Sequence, residues 1–156
     1  MLYENYQSPW LADDELRILK DAAGKFFEQE FVPLREQWNA QGEVDRDAWL
    51  KAGEAGLLCA DVPTEYGGGG GDYRHETVIM EEQIRASLGG WGNQIHSTIV
   101  APYILHYGTE EQKQRWLPKM ASGEMVGAIA MTEPNTGSDL QGVRTTALRN
   151  GDEYVI

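Results

Sequence analysis

The spacing of apolar positions divides this chain into a long helical region and a shorter region of strands and turns. From about Ala12 onward, Leu16, Leu19, Ala23, Phe26, Phe27, Phe31, Leu34 and Trp38 recur mostly at three- and four-residue intervals, which places them on one helix face. Asp13, Asp14 and Glu15 put negative charge at the positive end of that helix. Pro33 lies inside the pattern and removes one backbone hydrogen bond. The periodicity continues to Trp38, so a kink is predicted and not a stop. Residues 1–10 read as an irregular lead-in. A turn at Gln41-Gly42 leads to a second helix over 45–55, with Asp45 as its N-cap and Gly56 as its stop. A loop over 57–71 closes on five glycines, and a third helix is predicted over 72–87. Its apolar face is Tyr73, Thr77, Met80, Ile84 and Leu88, and Glu81, Glu82 and Arg85 form its solvated side. Gly89-Gly90-Trp91-Gly92 breaks the pattern. A fourth helix then runs to about Tyr107, largely buried through Ile95, Ile99, Val100, Tyr103 and Ile104 and bent by Pro102. Thr109-Glu110-Glu111-Gln112 is a capping box that opens a fifth helix reaching about Lys119.

After Ser122-Gly123 the period changes. Residues 125–131 suit a buried strand, and 143–148 and 153–156 read as two more. Between the last two lies Arg149-Asn150-Gly151-Asp152, whose Asn-Gly pair is a strong hairpin signal. The fold class is therefore mainly α. An N-terminal helical bundle of about five helices over 1–122 is followed by the first strands of a truncated β-domain over 123–156. Two or three strands make only a marginal sheet, and the last one, Glu153-Tyr154-Val155-Ile156, meets the end of the sequence without a turn.

Composition narrows the function. The chain has 156 residues, 41% of them hydrophobic, with five Trp, which is enough for one packed domain. Its 13 basic and 25 acidic residues give a net charge of −12, which argues against nucleic acid and against an anionic membrane surface. A local pocket can still hold a phosphate-bearing ligand. Cys59 is the single cysteine, so no internal disulfide is possible and a reducing compartment is the simple reading. Its apolar neighbours Leu57, Leu58 and Ala60 favour a packed thiol over a nucleophile. No apolar run has the length of a membrane span, and the N-terminus lacks the marks of a signal or transit peptide, so the cytoplasm is the expected location.

Three features are candidates for chemistry. The five glycines at 67–71 lack the Lys-Ser/Thr of a phosphate loop and read better as a flexible connection. His75, His96 and His106 are too scattered for a metal site, and no metal is expected. His96 reads as a hydrogen-bonded core histidine, with the lining of an acyl pocket as the alternative. The third feature is Gly127-Ala128-Ile129-Ala130-Met131-Thr132-Glu133-Pro134-Asn135-Thr136-Gly137-Ser138-Asp139-Leu140. It starts apolar and breaks at Thr132 into a loop of small, hydroxyl-bearing and turn-forming residues, with hydroxyl and N–H groups to offer a ligand.

The order and wording of several motifs resemble the N-terminal part of the acyl-CoA dehydrogenase family, its long-chain type in particular. These are Glu65-Tyr66-Gly67-Gly68, Ile95-His96-Ser97, Tyr107-Gly108-Thr109-Glu110-Glu111-Gln112-Lys113 and, most specifically, Ile129-Ala130-Met131-Thr132-Glu133-Pro134 with Gly137-Ser138-Asp139. The resemblance covers residues 12–156. It implies FAD as cofactor and oxidation of a fatty acyl-CoA to the trans-2-enoyl-CoA, in which a carboxylate removes the α-proton and a hydride leaves the β-carbon for the flavin. By the same resemblance, backbone groups of Ile129 and Met131 and the Thr132 hydroxyl would face the flavin ring. Gly137 and Ser138 would lie near the phosphate-bearing parts of the cofactor, with Ser138 also near the acyl-CoA. Donors placed there would stabilise charge building on the reduced flavin. Gly89, Gly90 and Gly92 either leave room for the end of a long acyl chain or simply form a turn.

Asn135-Thr136 stands where the family usually has Gly-Ala, and Ile129 where some relatives carry an aromatic residue. The second flavin-binding segment, the catalytic carboxylate and the C-terminal helical domain are expected beyond Ile156, so no catalytic base is assigned. Glu133 reads as structural. The chain alone is expected to be inactive and to bind FAD weakly or not at all. Electron-transferring flavoprotein is the partner the resemblance implies, and a homo-oligomer is expected. Two other readings stand beside this one: a non-catalytic helical interaction module that self-associates through its cut sheet edges, and an acyl-CoA oxidase or flavin monooxygenase of the same fold.

Overall fold

In the computed structural model, which describes residues 8–156, the chain is mostly helical and carries one two-stranded sheet. Of the irregular lead-in, residues 1–7 lie outside the described residues, and Pro9–Ala12 forms a short 3-10 turn. Helix α1 (Asp14–Phe26) starts at Asp13, whose carboxylate accepts the Glu15 N–H at 3.0 Å. The helical path then widens into a π-type turn (Phe27–Phe31), tightens through Val32–Leu34 and resumes as α2 (Arg35–Gln41). Pro33 accounts for this course. A proline lacks its N–H and its ring pushes against the carbonyl four residues earlier, here Gln29 inside the widened turn. Val32 N–H reaches back five residues to the Phe27 carbonyl instead of four. The same device recurs at Pro102. After α5 (Asn93–Ile95), a π-type turn (His96–Val100) ends with the Ala101 N–H on the His96 carbonyl, and α6 (Ala101–Tyr107) begins with Pro102 in its first turn.

Helix α3 (Arg46–Glu54) follows Asp45. Asp45 occupies the N-cap position without capping through its side chain. Its carboxylate instead accepts from Trp38 Nε1 at 3.0 Å and Gln41 Nε2 at 2.9 Å, which fastens the end of α2 to the start of α3. Helix α4 (Tyr73–Arg85) opens on a capping box of Asp72 and His75, and α7 (Glu110–Ala121) on the box of Thr109 and Gln112 that the sequence predicts.

The core is built around Trp91, 1% exposed, which meets Phe27, Phe31 and Trp49 at ring-centroid distances of 5.6, 5.1 and 5.6 Å. A second cluster of Cys59, Val62, Tyr66, Ala101, Leu117 and Met120 lies where the 57–71 loop meets α6 and α7. α1 packs along α4, and α6 along α7.

Three expectations are corrected here. The glycines at 67–71 are not a flexible connection. Gly68 N–H bonds to the Pro63 carbonyl, Gly69 to Cys59, Gly70 to Val62 and Gly71 to Ala60, at 2.9–3.3 Å. A Cβ at Gly68 would stand 2.2 Å from the Val62 carbonyl oxygen, and one at Gly69 2.7 Å from that of Ala60. Two backbones pass within contact, and only glycine permits it. Second, α4 turns a different face inward. Tyr73 and Ile84 are 58% and 55% exposed, whereas Glu76, Val78, Ile79, Glu82 and Gln83 are buried. In the fourth helical segment Ile95 and Tyr103 are likewise exposed, so that element is only half buried. Third, neither 125–131 nor 143–147 joins a ladder; the sheet consists of β1 (Leu148–Asn150) and β2 (Glu153–Val155) alone, antiparallel with Asn150 opposite Glu153. The hairpin therefore turns on Gly151 (φ +64°) and Asp152, with Asn150 as the last strand residue. No helix among the described residues is long and apolar enough to cross a membrane.

Candidate functional site

The segment that leaves α7 is fastened to the helices and then released from them. Met125 N–H bonds to the Lys119 carbonyl at 2.9 Å, and the Arg46 guanidinium, reaching from the start of α3, donates to the carbonyls of Gly123 and Glu124. Gly127 N–H donates to His96 Nδ1 at 2.9 Å. On both sides of that bond the chain is exposed. Ile129 and Met131 are 42% and 45% accessible, and Thr132 is exposed.

At Glu133 the chain reverses. Glu133 and Thr136 exchange both backbone hydrogen bonds at 3.0 Å around a two-residue turn of Pro134 and Asn135. Proline sets φ for the first turn position, and asparagine is well suited to the second. This explains how Asn135-Thr136 is accommodated, and Thr136 is 3% exposed with its hydroxyl unpaired. Thr132 and Gly137 flank the bridge and are thereby placed beside each other. Asp139 then accepts the Gln141 N–H and starts a short 3-10 turn, Leu140–Gly142.

Glu133 closes this loop. Its two carboxylate oxygens accept the N–H groups of Arg144 and Thr145, each at 2.9 Å. The Thr145 side chain first, and then these two N–H groups, hold its carboxyl below the usual carboxylate range. A carboxylate whose oxygens are both engaged by the backbone is a structural tie and a poor proton acceptor, which agrees with its structural reading in the sequence.

The five residues singled out from the sequence, Ile129, Met131, Thr132, Gly137 and Ser138, thus share one exposed stretch on the two sides of the Glu133–Thr136 bridge. The hydroxyls of Thr132 and Ser138 are engaged by no described residue, and a Cβ added at Gly137 would meet nothing within 4 Å. Small residues, free hydroxyls and an open approach fit a large, anionic, planar cofactor such as a flavin dinucleotide. At Gly89, Gly90 and Gly92 an added Cβ also meets nothing, so packing does not force glycine there; Gly90 borders a cleft of about 190 Å³ together with Trp38, Leu88 and Trp91.

Sequence reasoning missed Arg46, whose two bonds aim the chain out of the bundle, and the carboxyls beneath the glycine loop. Glu76 is fully buried; one oxygen accepts the Ala60 N–H at 2.6 Å and the other has no partner. Burial first, and the neighbouring Asp61 second, push its pKa up to about 7. Asp61 is itself raised by burial. Glu76, Ile79 and Gln83 recur at three- and four-residue steps on the inner face of α4, a spacing that identifies the face only once its packing is known.

Comparison with known proteins gives the same family as the motifs. Residues 13–124 match the family model described as "Acyl-CoA dehydrogenase, N-terminal domain". A long-chain specific acyl-CoA dehydrogenase, mitochondrial, of Rattus norvegicus is 47% identical over 139 residues, covering 89% of this chain and 32% of that protein. An acyl-CoA dehydrogenase of Geobacillus kaustophilus superposes with a TM-score of 0.86 at 43% identity, over 97% of this chain and 38% of that one. One from Bacillus anthracis, described as complexed with FAD, gives 0.86 at 37% identity, over 96% of this chain and 27% of that one. The chain spans about a third of the length of the curated relatives it matches. It belongs to the acyl-CoA dehydrogenase family.

Proposed function

We propose that this chain forms one wall of an FAD and acyl-CoA site, as the N-terminal portion of an acyl-CoA dehydrogenase that oxidises fatty acyl-CoA to the trans-2-enoyl-CoA. The observation that carries the reading is the exposed stretch around the Glu133–Thr136 bridge, where the Thr132 and Ser138 hydroxyls are unengaged and Gly137 leaves open space. FAD, when bound, supplies the acceptor for the electrons removed from the acyl chain. The chain's own residues bind and orient. Backbone groups at Ile129 and Met131 and the Thr132 hydroxyl offer donors to the flavin ring, while Ser138, beside the small Gly137, meets the phosphate-bearing parts and the acyl-CoA. Such donors are worth most where water is excluded. The two carboxylates of this stretch serve the loop: Glu133 is tied by both oxygens to Arg144 and Thr145, and Asp139 accepts the Gln141 N–H, and neither is assigned the removal of a proton. The chain alone is inactive in this reading.

Electron-transferring flavoprotein as electron acceptor, a homo-oligomeric assembly and a reducing, cytoplasmic setting belong to the same proposal. The buried free thiol of Cys59 supports the last of these. Exposed Met125, Val126, Ile129, Met131, Leu148, Tyr154, Val155 and Ile156 favour self-association of the chain when it is isolated.

Titrating FAD into the chain and following flavin absorbance tests the reading. Weak binding, near millimolar, is expected from so few donors. The Thr132→Val, Ser138→Ala double variant should weaken it severalfold. A tight stoichiometric yellow complex, or a double variant that binds as well as the parent, would overturn it.

A further inference from the structure

His96 has no place in the flavin wall itself, yet it is the last point at which the helical bundle holds the chain before that wall. The ring is fully buried in the π-type turn ahead of α6. Nδ1 accepts the Gly127 N–H at 2.9 Å and so carries no hydrogen. The hydrogen is therefore on Nε2, which donates to the Met120 carbonyl at 3.1 Å. One neutral tautomer thus bridges the end of α7 and the segment that leaves it. Gly127 suits the close approach: a Cβ there would lie 2.8 Å from Val100 Cγ1 and 3.0 Å from Met120 Cε, so a larger residue would make these side chains shift. Residue 129, the first of the flavin motif, is two positions further on, already exposed.

We propose that His96 is a positioning residue that latches the flavin-motif segment to the bundle through Gly127, and that protonation of its ring opens the latch. A second ring hydrogen would sit on Nδ1, facing the Gly127 N–H, and two donors cannot bond. Burial is what disfavours the cation: the Trp49 ring of α3 packs 5.3 Å away, while the Met120 carbonyl of α7, which accepts from Nε2, works in the opposite sense and is outweighed. The titratable group facing the ring is the Cys59 thiol, 3.8 Å from Nε2, itself pushed up to about 12 by burial. Burial holds the imidazole below its ordinary pKa, so the latch is closed at neutral pH and opens on acidification. What the latched segment does rests on the flavin reading above; that it is latched does not.

The test uses this chain without FAD. In a proton–nitrogen NMR spectrum at neutral pH, Nδ1 should give the signal of an unprotonated acceptor and Nε2 that of a protonated nitrogen. Lowering the pH should convert Nδ1 to the protonated form and, in the same step, abolish the protection of the Gly127 amide against hydrogen exchange. In His96→Asn the amide oxygen stands near the place of Nδ1, whereas His96→Gln moves its polar group to the place of Nε2. Gly127 protection should survive in the Asn variant and fall about tenfold in the Gln variant. A protonated Nδ1 at neutral pH, a Gly127 amide indifferent to ring titration, or equal protection in the two variants would overturn the latch. Should either variant fail to fold, the tautomer and titration of the parent chain decide alone. If FAD titration perturbs the motif as expected while these readouts fail, the latch is wrong and the flavin reading stands.

Discussion

At the scale of single residues, the buried carboxyl of Glu76 sets a pH dependence that opposes the one from His96. Its folded pKa of about 7 lies above the ordinary value of 4.5, so the folded state holds a proton that the unfolded state gives up. The stability linked to that proton is fully present below about 4.5 and is lost as pH rises through about 7, a span worth about 3 kcal/mol. His96 is shifted downward, so its contribution is present above the ordinary histidine range and is lost as pH falls through its folded pKa. Glu76→Gln keeps an acceptor for the Ala60 N–H and removes the ionisation. Urea denaturation of this variant should show it more stable than the parent at pH 8 by roughly 1–3 kcal/mol, with the slope between pH 5 and 7.5 flattened. An unchanged slope would mean that Glu76 does not carry the linkage. None of this was legible in the residue types, since a glutamate in a helix is ordinarily solvated. Only the packing of α4 against the 57–71 loop shows which carboxyls are inside.

At the scale of elements, helix starts and the hairpin were legible because their signals are local. Thr109 and Gln112 cap α7 through their own side chains, and Asn150-Gly151 sits in the hairpin, though with Gly151 and not Asn150 at the positive φ. Pro33 and Pro102 were read as bends, while Pro118 inside α7 was not. The structure adds how the chain absorbs the first two, by a π-type turn that moves away the carbonyl the proline ring would strike. What failed was everything that depends on a neighbour. The inner face of α4 is chosen by α1 and the loop beneath it, and a strand at 125–131 needs a partner strand to exist. The glycines at 67–71 read as flexible because glycine alone cannot reveal the Cys59, Ala60 and Val62 carbonyls that hold them. Gly68→Ala should therefore act as a core substitution, with a Cβ 2.2 Å from a carbonyl oxygen. Thermal denaturation should show a loss of about 2 kcal/mol or more, whereas a change within a few tenths would restore the flexible reading.

At the scale of the whole molecule, the chain divides by burial. The helices enclose an aromatic core about Trp91, while nearly all of 124–156 is exposed and held by few bonds: Arg46, His96 and the Lys119 carbonyl from the bundle, Glu133 within the loop. A stretch that is ordered by backbone ties, keeps its hydroxyls unengaged and spends little apolar area on the core is suited to receiving a ligand. The exposed loop was legible from the sequence because it is written in small and turn-forming residues. The ties that present it were not, because Arg46, His96 and Glu133 act over separations that no local pattern records. The central claim is that the FAD wall is this stretch and no other. Adding FAD at millimolar concentration to the isotopically labelled chain and mapping the amide shifts tests it most directly. Perturbations should concentrate at 127–138, with Thr132, Gly137 and Ser138 among the largest; shifts confined to the exposed face of α4 or the hairpin, or none at all, would contradict it.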